Sequence, residues 1–167
     1  ELGADQEQFV SYVNKYDIHL VDFVPPLLNQ LLAGRERLPS LKIIISGGEV
    51  LTDGVKQGIL EKGYTLYNHY GPTETTIDAL VEKCTSESVT LGYPIANVQC
   101  HILDLYNNPV PPGIPGEIVI TGAGVGRGYV NHPELTAEKF ARDLWDYRDY
   151  FDEENKKLLR RVQGGGF

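Results

Sequence analysis

Tyr67-Asn68-His69-Tyr70-Gly71-Pro72-Thr73-Glu74-Thr75-Thr76-Ile77-Asp78 separates two structural grammars in this chain. Before it, helix and strand signals alternate. Asp5 caps a run to Lys15 that carries Phe9, Tyr12, Val13 and Tyr16 at helical spacing. Residues 18–24 read as a strand, and Pro25-Pro26 opens a helix through Leu27, Leu28, Leu31 and Leu32 that Gly34 closes. Residues 41–45 are continuously apolar, the mark of a strand covered on both faces, until Gly47-Gly48 breaks the run. Thr52 or Asp53 caps a helix to about residue 62, Gly63 ends it, and 64–70 is the next strand. Such alternation predicts a mostly parallel sheet flanked by helices.

After Gly71 the pattern changes to short strands over 78–83, 99–104 and 117–121, separated by turn chemistry such as Asn107-Asn108-Pro109 and Pro111-Pro112-Gly113. A helix is expected over 133–141. The fold class is therefore read as α/β. A mostly parallel sheet with helices spans about 1–75, an antiparallel sheet or small β-barrel-like part spans about 76–130, and C-terminal helices follow. The expected division is an α/β subdomain over 1–80, a β-rich subdomain over 81–141, and an acidic insertion or truncated connector over 142–167.

The chain has 167 residues, the size of one ordinary domain, and 41% apolar content suffices for a core. Fifteen Lys and Arg against 23 Asp and Glu leave a formal charge of −8, which speaks against a nucleic-acid surface. Acid collects at Asp143, Asp146, Asp149, Asp152, Glu153 and Glu154, as on a solvated face. No apolar run approaches the ~20 residues of a membrane helix, and no signal-peptide pattern is present. Cys84 and Cys100 are not a C-x-x-C pair and read as reduced, half-buried strand residues of a cytoplasmic protein, not as a metal site or disulfide. The chain lacks Met, begins at Glu1 and ends in Gly164-Gly165-Gly166-Phe167, so it is read as a piece of a longer polypeptide.

The dozen residues from Tyr67 combine a flat ring, a carboxamide, a Gly-Pro turn, hydroxyls and a carboxylate, a set that suits a nucleotide. On an extended strand Asn68 and Tyr70 share one face and His69 takes the other. Tyr70 can stack on a purine, a contact worth about 1–3 kcal/mol in single-strand binders. Asn68 can pair with the exocyclic amine and ring nitrogen of adenine. Gly71 lets phosphate approach the backbone and Pro72 stiffens the turn. Thr73 offers a hydroxyl and an amide to phosphate, and Glu74 a hard oxygen for Mg2+, which binds one or two carboxylates plus phosphates. The rival reading is a helix start with Thr73 as cap and Glu74 in the first turn. Gly47-Gly48-Glu49 follows a buried strand, where open α/β sheets bind ligands; Gly47 and Gly48 can lie against adenosine or substrate, while Glu49 is either a binding residue or a cap of the next helix.

Three segments in order resemble the adenylation (AMP-binding) domains of non-ribosomal peptide synthetases, within the superfamily of acyl-CoA ligases and luciferases. These are NHYGPTETTID over 68–78, IISGGEVL over 44–51, and 116–140 with Gly116-Glu117, Arg127-Gly128-Tyr129, Pro133, Leu135-Thr136 and Phe140. The resemblance runs from about residue 5 to Phe140. It implies ATP, Mg2+ and an amino acid as ligands, with Thr73 and Glu74 catalytic and Glu74 the metal ligand. Gly47, Gly48, Glu49, Asn68, Tyr70, Gly71, Pro72 and Thr73 are then the nucleotide-binding set. The implied amino-acid pocket is Phe23, Ile45, Gly47, His69, Ile77 and Asp78. A carboxylate in such a pocket requires a partner, so Asp78 with His69 predicts a polar substrate side chain, unless His69 itself neutralises the acid.

Other features are read as structural. Gly122-Ala123-Gly124-Val125-Gly126 is followed by no helix-forming run and no suitably spaced acid, so it is read as a tight loop and not a dinucleotide fingerprint. His19, His101 and His132 are structural or solvated, and Arg127-Gly128-Tyr129 architectural. The family's phosphate loop with its Lys, the Asp for the substrate amine, the ribose-binding "TGD" segment and the C-terminal domain with its catalytic Lys do not occur in this sequence. The expected parent forms an aminoacyl adenylate and loads the phosphopantetheine thiol of a peptidyl carrier domain in the same synthetase, and this piece alone is expected to be inactive. Two alternatives stay open: an acyl- or aryl-CoA ligase of the same superfamily, and a non-catalytic structural or interaction fragment.

Overall fold

The computed structural model describes residues 5–141 and the strand Leu159–Val162. By its contacts the chain divides into two compact units, Glu1–Tyr70 with Leu80–Tyr93, and Gly71–Ala79 with Pro94–Phe167.

The first unit follows the alternating grammar. Helix α1 (Gln6–Lys15) starts where the Asp5 carboxylate accepts the N–H groups of Glu7 and Gln8, at 2.8 and 3.3 Å. It buries Phe9 and Val13. Strand β1 (Leu20–Phe23) leads into α2 (Pro25–Leu32), with Pro at its first positions, where the missing N–H costs nothing. Strand β2 (Ile43–Gly47) begins two residues later than the apolar run suggests. Helix α3 (Asp53–Leu60) is capped by the Thr52 hydroxyl, which accepts from Val55 N–H, so Thr52 and not Glu49 caps it. Strand β3 (Thr65–Tyr70) follows.

Strands β1, β2 and β3 pair in parallel, with Val21, Ile44 and Leu66 side by side. These three join Phe9, Val13, Leu28, Leu31 and Ile59 in one core. The helices thus cover one face. On β2 burial alternates, Ile44 and Ser46 inside and Ile43 and Ile45 half-buried, so among the described residues the both-faces reading of this strand does not hold.

Strand β4 (Leu80–Lys83) departs from the expected division of sheets. It pairs antiparallel with β3, Asn68 opposite Glu82 and Tyr70 opposite Leu80, and so extends the first sheet. The order is β1-β2-β3-β4-β5, with β5 being Tyr93–Pro94. Local alternation cannot reveal which edge a strand joins; here the chain returns after residues 71–79 and pairs Leu80 with Tyr70 at the end of β3.

The second unit contains a four-stranded sheet in the order β6-β7-β9-β8. Strands β6 (Val98–Leu103) and β7 (Glu117–Gly122) are antiparallel, joined by a hairpin in which the Asp104 carboxylate accepts from the N–H groups of Tyr106 and Asn108, both at 2.8 Å. In place of the expected C-terminal helices, the described residues hold one short helix, α4 (Pro133–Lys139); Phe140 already belongs to β8 (Phe140–Ala141). Strand β9 (Leu159–Val162) lies inside the stretch read as an insertion and pairs with β7 and β8. The rest of that expected insertion lies outside the described residues. Among the described residues no helix is long and apolar enough to cross a membrane.

Candidate functional site

In the first unit the candidate residues sit at the carboxyl ends of β1, β2 and β3. Register places Ile45 beside Tyr67 and Gly47 beside His69, so Ile45, Gly47 and His69 share one face. A Cβ built on Gly47 would lie 3.3 Å from the His69 carbonyl oxygen, so a small residue is needed where these strands approach. Phe23 is in register with Ser46, on the opposite face from Ile45, and its ring meets Phe9 edge-on at 6.1 Å. Phe23 is therefore not brought together with the other pocket candidates of this unit. Gly48 has φ +81° and, like Glu49, is exposed.

Asn68 is buried on the helix-covered face, and its amide nitrogen donates to the Thr90 carbonyl at 2.8 Å. This bond ties the 84–92 segment to the sheet and leaves Oδ1 as the open acceptor. Beside Asn68, Ser46 is fully buried and its hydroxyl has no hydrogen-bond partner. Tyr70, on the face of Asn68 by alternation, is half-buried at the end of β3.

The second unit holds the rest of the motif in a tightly folded loop. A single 3₁₀ turn, Thr73–Thr75, begins after Pro72, and no side chain caps it. The helix-start reading is thus half met: Glu74 lies in the first turn, but Thr73 is not the cap and stands exposed. Thr75 is buried and donates its hydroxyl to the Pro72 carbonyl at 3.0 Å. Thr76 and Ile77 have φ of +61° and +72°. Consecutive β-branched residues in the left-handed region are strained by about 1–3 kcal/mol each. Gly71 makes this fold possible, for a Cβ there would lie 1.6 Å from the Ile77 carbonyl oxygen. Ile77 and Asp78 therefore belong to no regular strand; Ile77 is exposed and Asp78 half-buried.

The glycine-rich segment after β7 clasps this loop. Gly126 N–H donates to the Glu74 carbonyl at 2.7 Å, and the Thr76 hydroxyl donates to the Gly124 carbonyl at 2.7 Å. A Cβ on Gly124 would stand 2.8 Å from the Thr75 carbonyl oxygen. The expectation of a tight loop is met, and its glycines also admit a close backbone approach. The Tyr129 hydroxyl donates to the Glu74 carboxylate. Sequence reasoning set Tyr129 aside; 55 residues separate it from Glu74, and the one local hint was glycine at every second position from 122 to 128.

Glu74 is half-buried, and its carboxylate is an acceptor-only group that takes the tyrosine bond. That chemistry fits a hard cation shared with phosphate oxygens. Among the described residues no group of three or more His, Cys, Asp or Glu could hold a metal, so a cage built from those side chains alone is absent there. Cys84 and Cys100 are free thiols whose pKa values burial pushes up, and burial pushes that of His101 down. A cleft of about 530 Å³ is lined by residues such as Arg127, Tyr129, Thr136 and Phe140, and none of Gly71–Ala79 lines it.

Comparison with known proteins accords with these pieces. The chain is 36% identical over 147 residues to a dimodular nonribosomal peptide synthase of Bacillus subtilis (strain 168), covering 86% of this chain and 6% of that protein. It is 39% identical over 150 residues to zwittermicin A synthase ZmaJ of Bacillus cereus, covering 80% of this chain and 29% of that one. The chain thus spans less than a third of the length of either of these relatives. Among solved structures, holo-AB3403, a four-domain nonribosomal peptide synthetase bound to AMP and glycine, superposes with a TM-score of 0.81 at 31% identity, over 96% of this chain and 12% of that one. The family model described as "AMP-binding enzyme" matches residues 2–130, and this chain belongs to that family.

Proposed function

We propose that the polypeptide carrying this chain activates an amino acid with ATP and Mg2+ and transfers it to a carrier thiol in non-ribosomal peptide synthesis, in the cytoplasm. The substrate carboxylate attacks the α-phosphorus, the bond from that phosphorus to the α,β-bridging oxygen breaks, and pyrophosphate leaves with the electron pair. The thiolate of a phosphopantetheine arm on a peptidyl carrier domain then attacks the acyl carbon and releases AMP. The observation that carries this reading is the Gly71–Thr76 loop, where strain and close packing hold the Glu74 carboxylate next to the exposed Thr73 in a fixed arrangement.

In this reading Tyr70 stacks on the adenine, and Asn68 accepts from the exocyclic amine through Oδ1, since its nitrogen is committed to Thr90. Gly47, Gly48 and Glu49 border the adenosine side. Gly71, Pro72 and Thr73 present backbone and hydroxyl to the α-phosphate. Glu74 would hold Mg2+, which when bound neutralises charge on the phosphate oxygens. Ile45, Gly47, His69, Ile77 and Asp78 line the amino-acid side, with Phe23 acting only from behind the sheet. Asp78 selects a polar substrate side chain.

Exchange of labelled pyrophosphate into ATP, measured on the intact parent with a panel of amino acids, tests this. Exchange with a basic, amide or hydroxyl side chain is expected. Preference for Val, Leu or Phe rejects the role of Asp78. Exchange with no carboxylic acid rejects the enzyme, and coenzyme A thioester formation in place of carrier loading points to the acyl-CoA ligase reading.

A further inference from the structure

We propose that Tyr129 is a positioning residue for Glu74: its phenol holds the carboxylate in the one orientation that serves a metal-bound triphosphate. The inference rests on the metal-binding reading of Glu74 given above and assigns a task to a residue outside that motif.

The geometry works from the loop outward. The backbone of the Glu74 turn is fastened by Gly126 N–H on the Glu74 carbonyl and by Thr76 on the Gly124 carbonyl. These bonds set where the Cα of Glu74 sits. The side chain has three further torsions, which these backbone bonds do not set. The Tyr129 hydroxyl donates to the carboxylate itself, and hydrogen bonds to a charged group are the stronger kind.

A tether orients only if it is itself held, and Tyr129 is. Its N–H donates to the Thr136 hydroxyl at 2.9 Å, and that hydroxyl donates onward to the His132 carbonyl at 2.9 Å. Its ring meets Phe140 edge-on, with centroids 5.6 Å apart and planes at 80°. The residue before it, Gly128, has φ +133°, and a Cβ there would lie 2.5 Å from the Thr136 methyl. Helix α4 and the start of β8 therefore aim the phenol, and the phenol aims the acid. Partners of this kind, one step removed from a metal, change affinity or activity by about 10- to 100-fold when lost.

Tyr129→Phe deletes the hydroxyl and keeps the ring on Phe140. Binding of Mn2+ to the intact parent, in the presence of a non-hydrolysable ATP analogue, is read by electron paramagnetic resonance. The Mg2+ concentration for half-maximal pyrophosphate exchange is read alongside it. About a tenfold weakening in both is expected with an unchanged unfolding temperature, and Glu74→Gln should weaken Mn2+ binding further. In a double variant of Tyr129→Phe with Glu74→Ala, which leaves no acceptor on that side chain, the Tyr129→Phe effect should disappear; effects that simply multiply overturn the inference. Native Mn2+ affinity in Tyr129→Phe, or tighter binding, also overturns it. Native affinity in Glu74→Gln rejects the metal reading itself. Should Tyr129→Phe fail to fold, Thr136→Val keeps the phenol but frees its backbone; a two- to threefold weakening is expected, and none rejects the proposal.

Discussion

Gly58 and Gly71 show how differently the two units are held. Gly58 sits within α3 with open space around it, and the shape of its unit does not depend on it. That unit is held by side chains: Phe9, Val13, Leu28, Leu31, Ile44 and Leu66 pack between helices and parallel strands. Gly71 has the carbonyl of Ile77 where its side chain would be. Its loop is held by backbone approach, by hydrogen bonds to Gly124 and Gly126, and by strain at Thr76 and Ile77. Side-chain packing tolerates local change by repacking, whereas backbone against backbone has nothing that can yield. The residues proposed for phosphate and metal lie on the second kind of support, where positions are held most closely.

The comparison can be broken at either end. Gly71→Ala should have the largest effect, more than about 4 kcal/mol of destabilisation, because only backbone is there to move. Hydrogen exchange should show lost protection over 71–79 and 122–129 while β1–β3 stay protected; uniform loss would mean the two units do not differ as described. Leu31→Ala removes a side chain with no exposed surface and should cost about 3 kcal/mol, with lost protection in α1, α2 and β1–β3. Gly58→Ala should stabilise by about 0.5–1 kcal/mol, since it adds a helix-favouring methyl in open space; a lowered unfolding temperature would show that α3 is more constrained than it looks.

The finest distinction is pH dependence. Burial holds the His101 pKa below its ordinary 6.5, so the unfolded chain binds that proton more readily than the folded one. The β6–β7 hairpin should therefore lose stability as pH falls below 6.5, and His101→Gln should remove that slope in denaturant titrations. The thiols run the other way. Burial holds both above their ordinary 9.0, so the folded chain keeps the protons better, and stability should fall as pH rises beyond 9.

Much of the first unit was legible because its signals are local. Asp5 and Thr52 are caps, Pro25 is a helix start, and Gly34 and Gly63 are stops. The resemblance of 68–78 to a nucleotide-binding motif was equally legible, being carried by a dozen adjacent residues. Less could be read where contacts join distant positions. Alternation set His69 apart from Asn68 and Tyr70, but only register shows that Ile45 and Gly47 share the face of His69 and that Phe23, beside Ser46, lies on the other. A strand over 78–83 was expected, yet its place at the edge of the first sheet was not.

The amino-acid sequence alone determined the helices and strands before Gly71, the turn chemistry after it, and the family to which the chain belongs. These follow from short-range causes: hydrogen bonds at helix ends, apolar periodicity, and the dihedral limits of glycine and proline. Tertiary structure alone decided that Asn68 gives its nitrogen to Thr90, that Thr76 and Ile77 take left-handed backbone, and that Tyr129 reaches Glu74 across 55 residues. Each depends on a partner whose distance along the chain carries no signal, so each appears only once the backbone has closed on itself.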